Sequence, residues 1–180
     1  MSVQARVQGD LPGLKSLIRR MKEANRGVLV GVPAGAMHTK KRGPGKDGLP
    51  GKPVKDPNPM SLAQIAVTHE FGAPEQNIPE RPALRGGIKR GIPKFNDINR
   101  DSLRKVVLGE LTVEQALGRL GAAAQGEVQR EFIVGGFVPN KPETLRRKGS
   151  SRPLIDIGQY RQSITWVLEG KQSSKARVVR

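Results

Sequence analysis

Apolar residues recur at helical spacing at Leu14, Leu17, Ile18 and Met21, while Arg19, Arg20 and Lys22 fall on the other side. This predicts an amphipathic helix over 11–24. Asp10 is placed to cap it, and Pro12 is tolerated in its first turn. Asn25-Arg26-Gly27 ends it, and the β-branched run Val28-Leu29-Val30-Gly31-Val32 follows as a buried strand. A second helix starts at Ser61, where Gln64 completes a capping box. Leu62, Ile65, Ala66 and His69 mark its buried face, and Phe71-Gly72 closes it.

The segment from Gly72 to Pro82 is turn-rich, with Pro74, Pro79 and Pro82. Ala83 to Ile92 carries a helical pattern interrupted by Gly86, Gly87 and Gly91. Pro93 reads as the restart of a helix, because proline is accepted in a first turn and disruptive inside one. Phe95, Ile98 and Val106 are its candidate inward positions and Gly109 its stop. Thr112 and Gln115 form a second capping box. Val113, Leu117, Leu120, Ala124, Val128 and Phe132 then step by three or four residues, the strongest helical pattern in the chain. Gly118, Gly121 and Gly126 interrupt it, each at a cost of roughly 1 kcal/mol against Ala. Either a neighbouring backbone approaches closely at these positions, which is the preferred reading, or the helix is weak. Asn140 is placed to cap a short helix through Arg147, and Asp156 a further turn through Gln162. Ile164-Thr165-Trp166-Val167-Leu168 reads as the second strand.

Residues 33–60 break with this periodicity. They hold six Pro, five Gly and six Lys or Arg (Lys40, Lys41, Arg42, Lys46, Lys52 and Lys55) and no regular apolar spacing. A segment of this length without a pattern predicts an extended, solvated basic arm. Residues 171–180 form a basic tail whose only apolar pair is Val178-Val179.

Charge sharpens this division. The 180 residues carry 32 Lys and Arg against 16 Asp and Glu, a formal net charge of +16. Residues 1–60 hold 12 basic and 4 acidic side chains, residues 61–134 hold 10 and 9, and residues 135–180 hold 10 and 3. The middle is balanced and the excess lies in the flanks, which predicts a polyanionic or acidic neighbour for them. There is no Cys, hence no disulfide, thiolate metal site or Cys nucleophile. No apolar run approaches the ~18 residues of a membrane span. Met1 to Asp10 lacks the apolar core of a signal peptide.

Searches for chemistry fail one by one. His69-Glu70 opens like the zinc-protease pattern H-E-x-x-H, but the fifth position is Ala73. Gly45-Lys46 lacks both the earlier Gly and the following Ser or Thr of a phosphate loop, where Lys40 and Asp47 stand instead. Asp97 and Asp101 lie four apart among Lys94, Arg100 and Arg104, the pattern of a salt-bridged helix face. None of the six aromatics falls in 33–60 or 171–180, so base stacking is not expected there. Non-specific attraction of basic arms to phosphate remains open, so a non-specific DNA-binding protein stands as the alternative function. No catalytic, cofactor-binding or metal-ligating residue is expected, and no enzymatic activity.

Two blocks resemble a known family. Thr68-His69-Glu70-Phe71-Gly72-Ala73-Pro74 followed by Ile78-Pro79-Glu80-Arg81-Pro82-Ala83-Leu84-Arg85 resembles the HEFG…IPxRPFLR stretch of bacteriophage head–tail neck and tail-completion proteins. Pro153-Leu154-Ile155-Asp156-Ile157-Gly158-Gln159-Tyr160-Arg161-Gln162-Ser163-Ile164, preceded by Lys141 to Gly149, resembles the same family's PLIDTGxLRxSI ending. Order and spacing agree over roughly 60–168. The chain departs from the pattern at Ala83, where Phe is common, and at Ile157, where Thr is common.

The resemblance implies a small α+β domain, a twisted antiparallel sheet packed against helices; together with the chain's own pattern this gives a single domain over 1–170, with the arm 33–60 inserted and the tail 171–180 appended. It implies a non-enzymatic structural protein of the virion, assembled in the host cytoplasm without a cofactor. Such a protein forms a six- or twelvefold homo-oligomeric ring at the head–tail junction, around the DNA channel. Its partners are adjacent neck, portal-side or tail-tube proteins, with non-specific contact to genomic DNA and none to membrane. Ile78, Pro79, Arg81 and Pro82 are expected to fix a rigid turn, and Asp156, Gly158 and Arg161 a second one. Lys40, Lys41, Arg42, Lys46, Lys52 and Lys55 are expected to face a partner or DNA.

Overall fold

A computed structural model of the chain describes residues 12–37, 40–41, 53–54, 60–147, 154 and 158–169. In chain order these form α1 (Pro12–Ala24), β1 (Val28–Gly31), β2 (Lys40–Lys41), β3 (Pro53–Val54), α2 (Leu62–Phe71), a 3-10 turn (Pro74–Gln76), α3 (Ala83–Leu108), α4 (Val113–Val134), α5 (Pro142–Arg147), α6 (Gln159–Ser163) and β4 (Thr165–Leu168). Helices and a small antiparallel sheet make this an α+β architecture.

The two strands expected from β-branched runs find each other across most of the chain. β1 and β4 pair antiparallel, with Val28 opposite Leu168 and Gly31 opposite Thr165. One face of this ribbon packs on α4. It joins two apolar clusters. The larger gathers Val32, Leu62, Ala66, Ala83, Val128, Phe132, Leu154, Tyr160 and Ile164. The smaller holds Val106, Val113 and Leu117, with Val28 and Leu168 packed against it. Two strands alone are marginal in water, so the ribbon depends on the α4 face beneath it.

The long hairpin α3–α4 is the main tertiary unit. Both expected capping boxes are present: Ser61 Oγ accepts from the Gln64 N–H, and Thr112 Oγ1 accepts from the Gln115 N–H. Gly109 ends α3 in the left-handed region at φ 79°. The restart at Pro93 is corrected: α3 runs unbroken through it. Pro93 is exposed and forfeits one backbone hydrogen bond, while burial of α3 against α4 along its length outweighs that loss. Gly87 makes the crossing possible, since a Cβ there would stand 2.5 Å from the Val128 Cα.

The glycines of α4 divide. A Cβ on Gly121 would overlap the Trp166 indole, and one on Gly118 would touch it at 3.5 Å. Gly126 has open space around it. The close approach is thus from a strand side chain rather than a backbone, and only at Gly121, since 3.5 Å at Gly118 is ordinary van der Waals contact.

Residues 33–60 are also corrected in part. β2 pairs antiparallel with β3, placing Lys40 opposite Val54 and Lys41 opposite Pro53. Met37 bridges to Ser61, and the Leu62 N–H donates to the Ala36 carbonyl at 2.8 Å. Strand pairing uses backbone groups and needs no apolar periodicity, and Pro53 is tolerated at the start of an edge strand. On α1, Ile18 and Met21 are exposed rather than buried.

Candidate functional site

The resembling blocks converge on the α2–α3 junction. α2 ends at Gly72, whose φ of 71° lies where a side chain is strained. The chain then reverses: Ala73 and Ile78 exchange backbone hydrogen bonds at 2.9 and 3.0 Å around the 3-10 turn. The Arg81 N–H returns to the His69 carbonyl at 2.7 Å. Ile78, Pro79, Arg81 and Pro82 therefore all lie in one tight connection.

α3 begins at Pro82 with no capping side chain of its own. Its exposed N–H groups are taken by Glu70, from the last turn of α2. Leu84 N–H donates to Glu70 Oε2 at 3.0 Å and Arg85 N–H to Oε1 at 2.8 Å. A carboxylate is well placed there, because a helix N-terminus carries partial positive charge. Arg85 completes the clasp. Its Nε donates to Glu70 Oε1 at 3.0 Å, one terminal nitrogen donates to the Glu70 carbonyl, and Glu80 lies at 3.4 Å. The guanidinium carbon also lies 5.0 Å from the Phe71 ring centroid. Glu70 is 4% exposed, so the carboxylate is desolvated and satisfied at once.

Arg81 points inward. Nε donates to the Val138 carbonyl at 3.0 Å and a terminal nitrogen to the Pro139 carbonyl at 3.3 Å. Desolvation lowers its pKa, yet guanidinium remains charged in proteins. It ties the strand-like segment after α4 to the junction.

The second block enters through α6. Gly158 starts that helix at φ 76° without a side-chain cap. The expected cap, Asp156, lies outside the described residues. The Arg161 carbonyl accepts from Gln129 Nε2 at 3.3 Å. Tyr160 packs edge-to-face on Phe132, with centroids 4.7 Å apart, and is stacked with His69 at 6.4 Å. Burial first, and the Glu70 carboxylate second, push the Tyr160 phenol pKa upward.

Beside the junction lies an apolar groove of about 440 Å³, walled by Val30, Val32, Ala66, Val67 and Leu84, with Phe71 and Arg85 at its rim. Lys40 and Lys41 sit in β2; Arg42, Lys46, Lys52 and Lys55 lie outside the described residues. No helix among the described residues is long and apolar enough to cross a membrane. Among them, too, no cluster of three or more His, Asp or Glu side chains forms a metal cradle.

The chain matches no family model, no curated protein and no solved structure.

Sequence reasoning missed Glu70 and the seam of α3–α4, where Glu127 and Glu131 are buried. Lys94 Nζ lies 2.8 Å from Glu127, and Arg90 Nε 2.7 Å from Glu131. One signal for Glu70 did exist: a helix opening on Arg81-Pro82-Ala83 has no local cap, so an acceptor had to come from elsewhere. Asp97 and Asp101 are salt-bridged as expected, but of the three expected cations only Arg100 takes part. Asp97 meets Arg100 at 3.5 Å, and Asp101 meets Lys105 and Arg119 at 3.0 and 2.9 Å. Lys105 first, and Arg119 with it, hold the Asp101 carboxyl below the usual range.

Proposed function

We propose that this protein is a structural component of a tailed bacteriophage, a ring-forming subunit at the head–tail junction surrounding the DNA channel. The observation that carries the reading is the pair of resembling blocks, in order over roughly 60–168. Those of their residues that the structure describes meet in one joint. Glu70, Arg81 and Arg85 spend their charges on backbone groups and on each other, and Tyr160 fills the core beside them. Such a joint holds elements in fixed relation, which is what a ring subunit needs when neighbours repeat around an axis. A net charge of +16 would make many copies repel unless acidic partner proteins or DNA phosphate lie close by.

Deletion of the gene from a phage that carries it tests this reading. DNA-filled heads and tails should accumulate unjoined, and the protein supplied from a plasmid should restore particles. Normal yields of joined, infectious particles without the protein would contradict it. A free DNA-binding role predicts the latter outcome, together with steeply salt-dependent binding to any duplex by the monomer.

A further inference from the structure

Away from its α4 contact, α3 carries an exposed apolar row, with α1 lying alongside its C-terminal end, where Arg20 Nη1 donates to the Val106 carbonyl at 3.0 Å. Ile88, Ile92, Leu103 and Val107 are 37%, 49%, 44% and 41% exposed. Their spacing of 4, 11 and 4 residues returns to nearly the same side of a 3.6-residue helix, so they form one stripe about 28 Å long. Asn96 and Asn99 sit between the two aliphatic pairs.

Charge on this helix is sorted. Asp101 is bound to Lys105 and to Arg119 of α4. Arg90 and Lys94 turn to Glu131 and Glu127 in the seam. Lys89 and Arg104 are exposed and make no ion pair among the described residues, and Arg100 has only the exposed Asp97 at 3.5 Å. Three carboxylates of the hairpin, Asp101, Glu127 and Glu131, are thus paired in the seam, while Lys89, Arg100 and Arg104 border the apolar stripe along one side.

We propose that this face docks an acidic amphipathic helix of a different protein. Four aliphatic side chains in two pairs call for matching apolar residues at i, i+4, i+15 and i+19, with polar residues between them to meet Asn96 and Asn99. Lys89, Arg100 and Arg104 call for Glu or Asp along one flank. A second copy of the same face is disfavoured, because it would bring the same cations together. A nucleic acid would use the cations and leave the aliphatics without a partner. A lipid surface would meet two amides in the middle of the stripe and no aromatic anchor. This docking face does not depend on the head–tail reading.

The full chain should be titrated with a fluorescent helical peptide of about 20 residues carrying Leu at those four positions, Asn at the centre and Glu along one flank. The expected result is saturable binding that weakens at least about tenfold, or 1.4 kcal/mol, when the flanking Glu are replaced by Lys. The double variant Ile92→Asn/Leu103→Asn should lose binding while remaining folded with at most a modest drop in melting temperature, since both side chains are about half exposed. Lys89→Glu/Arg104→Glu should reverse the peptide preference. Equal binding of the acidic and basic peptides, or an Asn variant that binds unchanged, would overturn the proposal. So would concentration-dependent self-association, or binding to a DNA duplex or phosphatidylglycerol vesicles, that vanishes in the Ile92→Asn/Leu103→Asn variant.

Discussion

Glu70 is the residue on which the junction turns. It closes the start of α3 from 14 and 15 residues upstream and holds Arg85 at the same time. Replacing it with Ala removes a charged cap and leaves two N–H groups without their acceptor. Glu70→Ala should cost about 2–3 kcal/mol in urea unfolding, and Glu70→Gln about 1 kcal/mol, because the amide oxygen retains one bond. An Ala variant as stable as the parent would mean that solvent caps α3 equally well. Tyr160 makes the opposite case. Its hydroxyl is buried and has no hydrogen-bond partner among the described residues. Tyr160→Phe should therefore leave stability unchanged or raise it by about 1 kcal/mol; a loss of that size would show that the hydroxyl is satisfied.

At the level of the elements, glycine placement separates packing from propensity. Gly121→Ala should destabilise by about 1–3 kcal/mol, because the new methyl meets the Trp166 ring. Gly126→Ala, five residues along the same helix and facing open space, should stabilise by up to about 1 kcal/mol. Thermal melts of the two variants moving in the same direction would contradict this. The α3–α4 seam adds a pH dependence. The hydrogen bond from Lys94 holds the Glu127 carboxyl below its usual range. A depressed folded-state pKa contributes stability above the unfolded value, about 4.3, and loses it as pH falls through the folded one. Lys94→Met should therefore flatten the acid limb of the stability curve below about pH 4.5 while lowering stability at neutral pH; an unchanged acid limb would remove Glu127 from that account.

What the sequence revealed at this scale follows the range of the forces involved. Capping boxes at Ser61 and Thr112 and the α4 stripe were legible because they are local patterns. Continuity through Pro93 was not, since it depends on α4 lying alongside. Nor was the reason for Gly121, which rests on a tryptophan 45 residues away. Glu70 and Arg81 stood in recognisable blocks, but their bonds reach elements that only folding brings near. The β2–β3 pairing left no apolar trace to read.

Across the whole molecule, charge divides by segment along the chain. The flanks hold the net positive charge, while the middle segment, balanced in sequence, turns Glu70, Glu127 and Glu131 inward and leaves cations on the outer side of α3. The excess of basic residues in sequence is what the proposed setting, among acidic neighbours or around DNA, would have to neutralise. The most direct test is a cryo-electron microscopy reconstruction of intact particles from a phage encoding this chain. The account predicts a closed six- or twelvefold ring of the α3–α4 fold between head and tail, surrounding the DNA channel. Particles in which that layer is built from another fold, with this chain absent, would contradict it.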